Sequence, residues 1–345
     1  MIPPSKSGIP LIDAALAGDL AAIKAFIAQG ADLEVKDEEG QTPLYALISN
    51  LLFRGLSPHP ELLTCAEALL AAGANPFASR GQDGRDVLYL AVTRHSCGLV
   101  KILKTNEMKI SSSCSLIEFI ESWSRCYFRS EVEECKAILK LLLEEQPDLN
   151  QRTDDEHQRT ALHLACRSGH HDAILILLEA GCDPQSLDGS GCNPLVDLTN
   201  YAWRSQTDCL FSIYALIRCG ADVNCLGTGP SEESPLHWLT IYGGNRLAVV
   251  TLLLESGADP NKPNNKGKTA LIHAAESDRI DLIQVLLLFG AKVEHRDNQG
   301  LTALDHARID NRQRVIDVLL KNNGPEEGRA VRPVDEPFQL RSLSG

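Results

Sequence analysis

The sequence predicts an all-α solenoid of stacked helix-turn-helix units joined by short β-turn or hairpin connections. Three observations support this fold class. Thr269-Ala-Leu recurs as Thr302-Ala-Leu 33 residues later, a spacing typical of repeat architectures. Leu- and Ile-rich segments end at glycines with the same spacing, such as Gly257 and Gly290, and glycine ends a helix in the left-handed conformation without strain. Most units open with a Thr or Ser that can cap a helix.

We predict nine units within residues 9–324, preceded by an N-terminal arm at residues 1–8. The units begin near Ile9, Gln41, Arg85, Ser112, Arg159, Cys192, Ser234, Lys268 and Leu301. In each unit, a short first helix follows the cap and a second helix runs to the closing glycine. Nine units should form a stable curved rod, because each one buries its apolar face against its neighbours. Residues 325–345 have no periodic apolar face, so we predict a disordered tail.

Irregular spacing predicts insertions and a degenerate middle. The extra residues lie near 51–60, 201–207 and 227–233, and residues 101–157 lack a closing glycine. Gly55, Pro58 and Pro60 should prevent a regular helix in the first insertion, so we expect a loop there. Within the degenerate stretch we expect amphipathic helices at about 115–128 and 131–145. Trp123, Tyr127 and Phe128 share one face of the first of these, which favours packing.

Charge and composition exclude several classes of protein. The chain has 33 Lys and Arg against 46 Asp and Glu, a net charge of −13, with no dense basic run to neutralise phosphates. No apolar stretch approaches the ~18 residues of a membrane span, and no secretory signal is visible. The eleven cysteines are odd in number and lack a CxxC motif, which indicates reduced thiols. We expect a cytoplasmic monomer that binds neither nucleic acid nor membrane, with the nucleus as an alternative location.

No residue pattern indicates catalysis, a cofactor or a metal. His163, Cys166, His170 and His171 are close in sequence but lack the paired spacing of a zinc site. The loop Gly227-Thr-Gly-Pro230 lacks the Gly-Lys-Ser/Thr of a phosphate-binding loop. We therefore expect a protein that is not an enzyme and holds no cofactor or metal ion.

The units resemble ankyrin repeats, whose signature is Thr-Pro-Leu-His-x-Ala. The matching segments are Thr42-Pro-Leu-Tyr-Ala46, Thr160-Ala-Leu-His-Leu-Ala165, Ser234-Pro-Leu-His237, Thr269-Ala-Leu-Ile-His-Ala274 and Thr302-Ala-Leu-Asp-His-Ala307. The resemblance covers about residues 8–324. It implies that His163 and His170 are scaffold residues, and that the chain is a non-catalytic adaptor or inhibitor whose concave face binds a protein.

The residues that would contact this partner come from counting in the signature register, from the insertion beside Tyr201, and from a Trp at a position that is usually aliphatic. They are Arg167, Asn200, Tyr201, Trp203, Arg204, Trp238, Ile241 and Tyr242. A group of aromatic residues beside arginines is typical of an interface hot spot. Packing is the alternative: core and interface are equally favoured for Trp203 and Tyr242, whereas Trp238 favours the core. The turn tips differ in charge, being acidic at residues 36–39 and 153–156 and basic around Lys262, Lys266 and Lys268.

The resemblance also implies one modification and leaves two alternative functions. In ankyrin proteins of animal cells, an oxygenase can hydroxylate the Asn that closes a Gly-Ala-Asp-x-Asn turn, and Asn224 and Asn261 match that position. One alternative function is a bacterial or viral effector acting on proteins in the host cytosol. The other is an enzyme with a cryptic site in residues 108–157.

Overall fold

The computed structural model describes residues 8–53, 60–77, 86–105, 115–123, 129–204, 209–227, 232–242 and 247–322. These ranges contain eighteen α-helices and no β-strand, which confirms the predicted all-α class. In this part of the chain, no helix is long and apolar enough to cross a bilayer. The chain forms two compact bodies, residues 1–152 and 153–345, which we call the N-terminal body and the C-terminal body.

The N-terminal body contains four helix pairs, repeats 1 to 4. Its helices are α1 (Pro10–Ala17), α2 (Leu20–Ala28), α3 (Pro43–Phe53), α4 (Pro60–Ala71), α5 (Val87–Thr93), α6 (Cys97–Thr105), α7 (Leu116–Trp123) and α8 (Arg129–Leu143). The first helices α1, α3, α5 and α7 pack in series, and so do the second helices α2, α4, α6 and α8.

The C-terminal body contains five helix pairs, repeats 5 to 9. Its helices are α9 (Ala161–Ser168), α10 (His171–Glu179), α11 (Pro194–Arg204), α12 (Leu210–Arg218), α13 (Pro235–Tyr242), α14 (Leu247–Glu255), α15 (Ala270–Glu276), α16 (Ile280–Leu288), α17 (Ala303–Ile309) and α18 (Gln313–Lys321). The odd-numbered helices pack against one another in sequence, and the even-numbered helices form a second layer. Each body is therefore a two-layer stack of repeats.

Local sequence sets where the helices begin and end. Asp19 and Asp86 accept backbone N–H bonds from residues three positions on, at 3.0 and 2.8 Å, and so cap α2 and α5. Gly257 has φ 91° after α14, which confirms the predicted left-handed end of the second helix. The glycine signal in the sequence is therefore a requirement of the backbone.

The structure shortens the first predicted insertion. Leu51 to Phe53 continue α3, and Pro60 begins α4, so the helices extend into both ends of the range near 51–60 where we expected a loop. Leu favours a helix and Phe is tolerated in one, and proline is tolerated in a first helical turn, where its missing N–H is not needed. Residues 54–59 lie outside the described part. In repeat 6, α11 reaches Arg204, so part of the insertion at 201–207 lengthens a first helix.

Repeat 4 folds around aromatic packing. Trp123 is only 1% exposed, and its ring centroid lies 5.8 Å from that of Phe119. Packing of Trp123 is thus confirmed, whereas Tyr127 and Phe128 lie outside the described residues. Apolar burial holds this repeat despite its degenerate signature.

Candidate functional site

A histidine in the repeat signature joins consecutive repeats. In repeat 5, the backbone N–H of Thr160 donates to His163 Nδ1 at 3.2 Å. The other ring nitrogen, Nε2, lies 3.1 Å from the carbonyl oxygen of Cys192 at the start of repeat 6. Because a carbonyl only accepts, Nε2 carries the proton and Nδ1 is the acceptor. His163 thus caps its own helix and holds the next turn.

Repeat 7 has the same arrangement. Ser234 N–H donates to His237 Nδ1 at 3.1 Å, and His237 Nε2 lies 3.2 Å from the carbonyl oxygen of Lys268. Burial, followed by the charge of His273, lowers the pKa of His237 to about 4. The ring is therefore neutral near pH 7. These contacts give His163 and His237 a scaffold role.

We define the first-helix face of the C-terminal body by two rows of residues. Four residues after each cap stand Leu164, Asp197, Trp238, His273 and His306; three residues further stand Arg167, Asn200, Ile241, Glu276 and Ile309. Positions i and i+3 share a helix face, so these rows lie side by side along the stack. The helix register is the same in each of these repeats, whereas the residues in the two rows differ from one repeat to the next.

The end of this face at repeats 8 and 9 carries a continuous polar network. Glu276 Oε2 lies 3.4 Å from His273 Nδ1, and Glu276 Oε1 lies 3.1 Å from His306 Nδ1 and also binds Lys268 Nζ. The other nitrogen of His306 lies 2.7 Å from Asp297 Oδ2. Burial opposes ionisation of Glu276, but the donors of His273 and Lys268 and the charge of His306 lower its pKa to about 2. The polar groups of this network therefore satisfy one another.

The part of the face at repeats 5 and 6 is less well paired. Asp197 is buried, and its Oδ1 is 3.8 Å from Arg167 Nη1. Arg159 Nε lies 3.6 Å from Asp188 Oδ2, so its charge is shared with another acid. Burial is the main cause that raises the pKa of Asp197 to about 7, with Arg159 opposing the shift. This buried acid has a protonation state that changes near neutral pH.

The structure places five of the eight predicted contact residues on or beside the first-helix face. Arg167 is exposed, and Asn200, Tyr201, Trp238 and Ile241 are half-buried. Trp203 and Arg204 lie in the last turn of α11 and Tyr242 ends α13, but their side chains are outside the described part.

Tyr201 also has a packing role. A Cβ added to Gly169 would collide with the Tyr201 ring at Cε1, so the ring rests on the glycine that ends α9. The ring therefore helps to join repeats 5 and 6, and only its remaining surface is open to a partner.

The two asparagines considered for modification make bonds between repeats. Asn224 accepts the N–H of Asp259 at 2.8 Å and donates to the carbonyl of Gly257 at 2.9 Å. Asn261 repeats both bonds one step on, with the N–H of Lys292 at 2.8 Å and the carbonyl of Gly290 at 3.0 Å. Both side-chain amides are thus engaged in the stack.

The same position binds the next repeat even where it is not asparagine. Glu34 accepts the N–H of Asn75 at 2.7 Å, and Gln185 accepts that of Asp222 at 3.2 Å. A scaffold function therefore accounts for the residue type at this position.

The turn tips are only partly available for binding. Lys262 Nζ donates to the carbonyl of Asn224 at 2.6 Å, and Lys268 is paired with Glu276. Lys266 remains exposed at the predicted basic tip, and Asp154, Asp155 and Glu156 are exposed at the acidic one. In the described part of the chain, no three His, Cys, Asp or Glu side chains are arranged to hold a metal ion.

Sequence reasoning did not identify Asp197. The available signal was its register: it is an acid at the position where the other C-terminal repeats have Leu164, Trp238, His273 and His306. A carboxylate at a buried signature position is unusual, because burial of a charge requires compensation.

Comparison with known proteins finds relatives that share the repeats. The chain is 26% identical over 278 residues to "E3 ubiquitin-protein ligase KEG" of Arabidopsis thaliana, covering 79% of this chain and 16% of the ligase. It is 28% identical over 149 residues to the human "Palmitoyltransferase ZDHHC17", covering 35% of this chain and 23% of that protein. It is 34% identical over 123 residues to the mouse "B-cell lymphoma 3 protein homolog", covering 35% and 25%. The chain thus spans a quarter or less of the length of these relatives.

The family of ankyrin repeats matches the chain directly. Three copies of the family model match residues 129–195, 200–297 and 244–329, which together make up more than half of the chain. The matched residues include the helix pairs of the C-terminal body except residues 196–199 of α11. Together with the stacked helix pairs and signature contacts, these matches show that the chain belongs to the ankyrin repeat family.

Proposed function

We propose that this protein is a non-catalytic interaction module, an adaptor or inhibitor that binds a partner protein through the first-helix face of the C-terminal body. Ankyrin repeats indicate a protein-interaction module. The observation that supports this particular face is that equivalent positions on its first helices carry a different residue in each repeat, while the helix register stays the same. Arg167, Asn200, Ile241 and Glu276 occupy equivalent positions in successive repeats, and all are at least partly accessible. Such a row can distinguish partners by charge and shape, because its backbone positions are held by the caps.

The likeness to these relatives supports a binding function for this chain and gives no ground for proposing a catalytic one. Their names describe a ubiquitin ligase, a palmitoyltransferase and a B-cell lymphoma protein, and the likeness to each covers a quarter or less of that protein. We therefore propose binding alone for this chain. We also propose that it acts in the cytoplasm.

The test compares two faces of the same body. The intact chain is used to capture proteins from a lysate, and each captured protein is then purified and its affinity measured directly. We expect Asn200→Ala with Ile241→Ala to weaken binding, whereas Phe211→Ala with Leu288→Ala, on exposed residues of second helices, leaves it unchanged. Equal affinity of the intact chain and of both double variants for the partner would contradict this function. A thermal melt of each variant controls for folding.

We also propose Asn224 and Asn261 as hydroxylation sites if the source is an animal. Both residues are half-buried and bonded through their side-chain amides, so an oxygenase would need local opening of the turn to reach them. Intact mass of protein expressed in animal cells, compared with the double variant Asn224→Ala with Asn261→Ala, is the test. No added oxygen in the parent chain would remove this proposal.

A further inference from the structure

Asp197 is an acid that the fold buries without hydrogen bonds. It lies in the first turn of α11, and its side chain is 8% exposed. The 3.8 Å from Oδ1 to Arg167 Nη1 exceeds a hydrogen-bond length of about 2.7–3.2 Å, and Oδ2 is buried with no partner. Buried polar groups are nearly always satisfied, so this exception requires an explanation.

The other polar residues of the same row are satisfied within the chain. His306 faces Glu276 and Asp297 through its two ring nitrogens. His273 faces Glu276 through Nδ1 and accepts a bond from the Asn264 amide at 3.3 Å through Nε2. Asp197 is the exception among the described residues of this row. Because the equivalent residues in repeats 8 and 9 have partners, the lack of hydrogen-bond donors to Asp197 is due to its neighbouring residues and not to its position in the repeat.

Neither nearby arginine compensates Asp197 fully. Arg159 lies 3.6 Å from Asp188, which shares its charge. The side chain of Arg167 is 49% exposed, so water screens its interaction with Asp197. The raised pKa of Asp197, caused first by burial, agrees with this incomplete compensation.

The acceptor oxygens of Asp197 and the negative charge of the chain favour a positively charged side chain from a partner. Both oxygens of ionised Asp197 can only accept, whereas Lys and Arg side chains only donate. The exposed acids Asp154, Asp155 and Glu156 lie on the turn tip of repeat 5, which a 2.6 Å bond from Gly189 N–H to the His157 carbonyl holds against repeat 6. With a net charge of −13, the chain attracts cations over longer distances.

We propose that Asp197 is a specificity residue that receives a lysine or arginine side chain of the protein partner. This inference rests on the proposed function, because it assigns a partner chemistry to the first-helix face. The incoming cation takes the place that Arg167 now fills at 3.8 Å, and Arg167 turns further into solvent. Trp238, half-buried at the equivalent position of the next repeat, offers an aromatic surface beside the cation.

This arrangement predicts a pH dependence of binding. A bound cation favours the ionised carboxylate, so affinity should rise between pH 6 and 8 as Asp197 loses its proton around its pKa of about 7. The titratable or charged groups that act on it or feel its charge are Arg159, Cys166, Arg167, Asp188 and Cys192. Burial raises the pKa of Cys166 well above its usual value and that of Cys192 to about 12. Neither thiol titrates in the same window.

The test is selection of a phage-displayed random peptide library on the full chain. Peptides that bind the first-helix face are identified as those that bind the parent chain but lose affinity for the Ile241→Arg variant, which places a bulky cation on α13. Synthetic copies are then measured against the parent chain, Asp197→Asn and Asp281→Asn. The last is a matched control that removes a carboxylate from α16. Thermal melts confirm that the variants are folded.

We expect the face-binding peptides to be enriched in Lys or Arg and to bind Asp197→Asn at least about tenfold more weakly, since loss of one partner of a buried charge pair is costly. Asp281→Asn should bind like the parent, and only Asp197→Asn should lose the rise in affinity from pH 6 to 8. Face-binding peptides without basic residues, or with equal affinity for Asp197→Asn, would overturn this inference while the proposed function stands. If no selected peptide responds to Ile241→Arg, both proposals are contradicted.

Discussion

Repeat 4 and repeats 7 to 9 differ in what they add to the polar contacts between repeats. Repeat 4 has such contacts with repeat 3, among them His95 Nε2 at 3.1 Å from Ser122 Oγ and a 2.9 Å ion pair of Lys104 with Glu144, and adds buried aromatic rings to them. In repeat 4, Phe119 and Trp123 are buried against each other, and apolar packing supports a helix pair that lacks the family signature. In repeats 7 to 9, the described aromatic residues Trp238 and Phe289 are only half-buried, and histidines, acids and asparagines link each repeat to the next. The comparison teaches that an ankyrin repeat can lack the family signature where buried aromatic rings and other polar contacts hold its helices. The family matches begin at residue 129, so they include the second helix of repeat 4 but not its first helix.

The largest expected effect tests the aromatic core. Trp123→Ala should lower the free energy of unfolding of the N-terminal body by about 3–5 kcal/mol, because it empties a fully buried aromatic site. Trp238→Ala, at a half-buried position of the C-terminal body, should cost less. Chemical denaturation with hydrogen exchange resolved along the chain measures both. Equal losses in the two variants would show that the bodies do not differ in this way.

A second prediction tests the contact between turn tips. Gly267 has φ 71°, and a Cβ there would lie 2.5 Å from Asn298 Oδ1, whereas Gly300 has φ 79° and open space around it. Both alanine variants should cost about 1–2 kcal/mol for left-handed backbone, and Gly267→Ala should cost more because it also displaces Asn298. Denaturant melts of the two variants isolate the contact. Indistinguishable midpoints would mean that the tips do not contribute to stability.

Acid should weaken the polar network specifically. The folded pKa of Glu276, about 2, is below its usual value near 4.5, so its contribution to stability is present above pH 4.5 and is lost as pH falls toward 2. Glu276→Gln should therefore flatten the decline of unfolding free energy between pH 4.5 and 2. The control is Glu294→Gln, which changes an exposed acid in repeat 9. An unchanged acid profile in Glu276→Gln would argue against the network.

The smallest effect concerns thiol reactivity in the C-terminal body. Burial raises the pKa of Cys182 and Cys192 to about 12, whereas Cys219 is exposed. Under native conditions near pH 7.5, an alkylating reagent should label Cys219 first and leave stability unchanged. Peptide mass spectrometry follows each site over time, with Cys219→Ser as the control. Equally fast labelling of Cys182 would contradict the packing described for its repeat.

The fold was predictable because its signals are local. The caps at Thr160 and Ser234 and the left-handed turn at Gly257 act within a few residues, so a short sequence window contains their whole cause. The ends of the first insertion were less predictable. Gly55 and Pro60 mark a break without fixing how far α3 continues.

The candidate site was predictable only in part. Counting from the signature located Arg167, Asn200 and Ile241 on one face, because register follows from helix geometry. The state of Asp197 depends on Arg159 and Asp188, which come from other turns, so no local pattern encodes it. The packing of Tyr201 on Gly169 likewise requires the distance between two repeats.

The bonds made by Gln185, Asn224 and Asn261 affect how the number of repeats in such a chain can change during evolution. Each side chain accepts the backbone N–H of the following repeat, a group that every residue except proline supplies. The joint therefore does not depend on which side chain the neighbour carries. Duplication or loss of the module between two of these joints, for example Asn224 and Asn261, would leave ends that can form the same backbone bond.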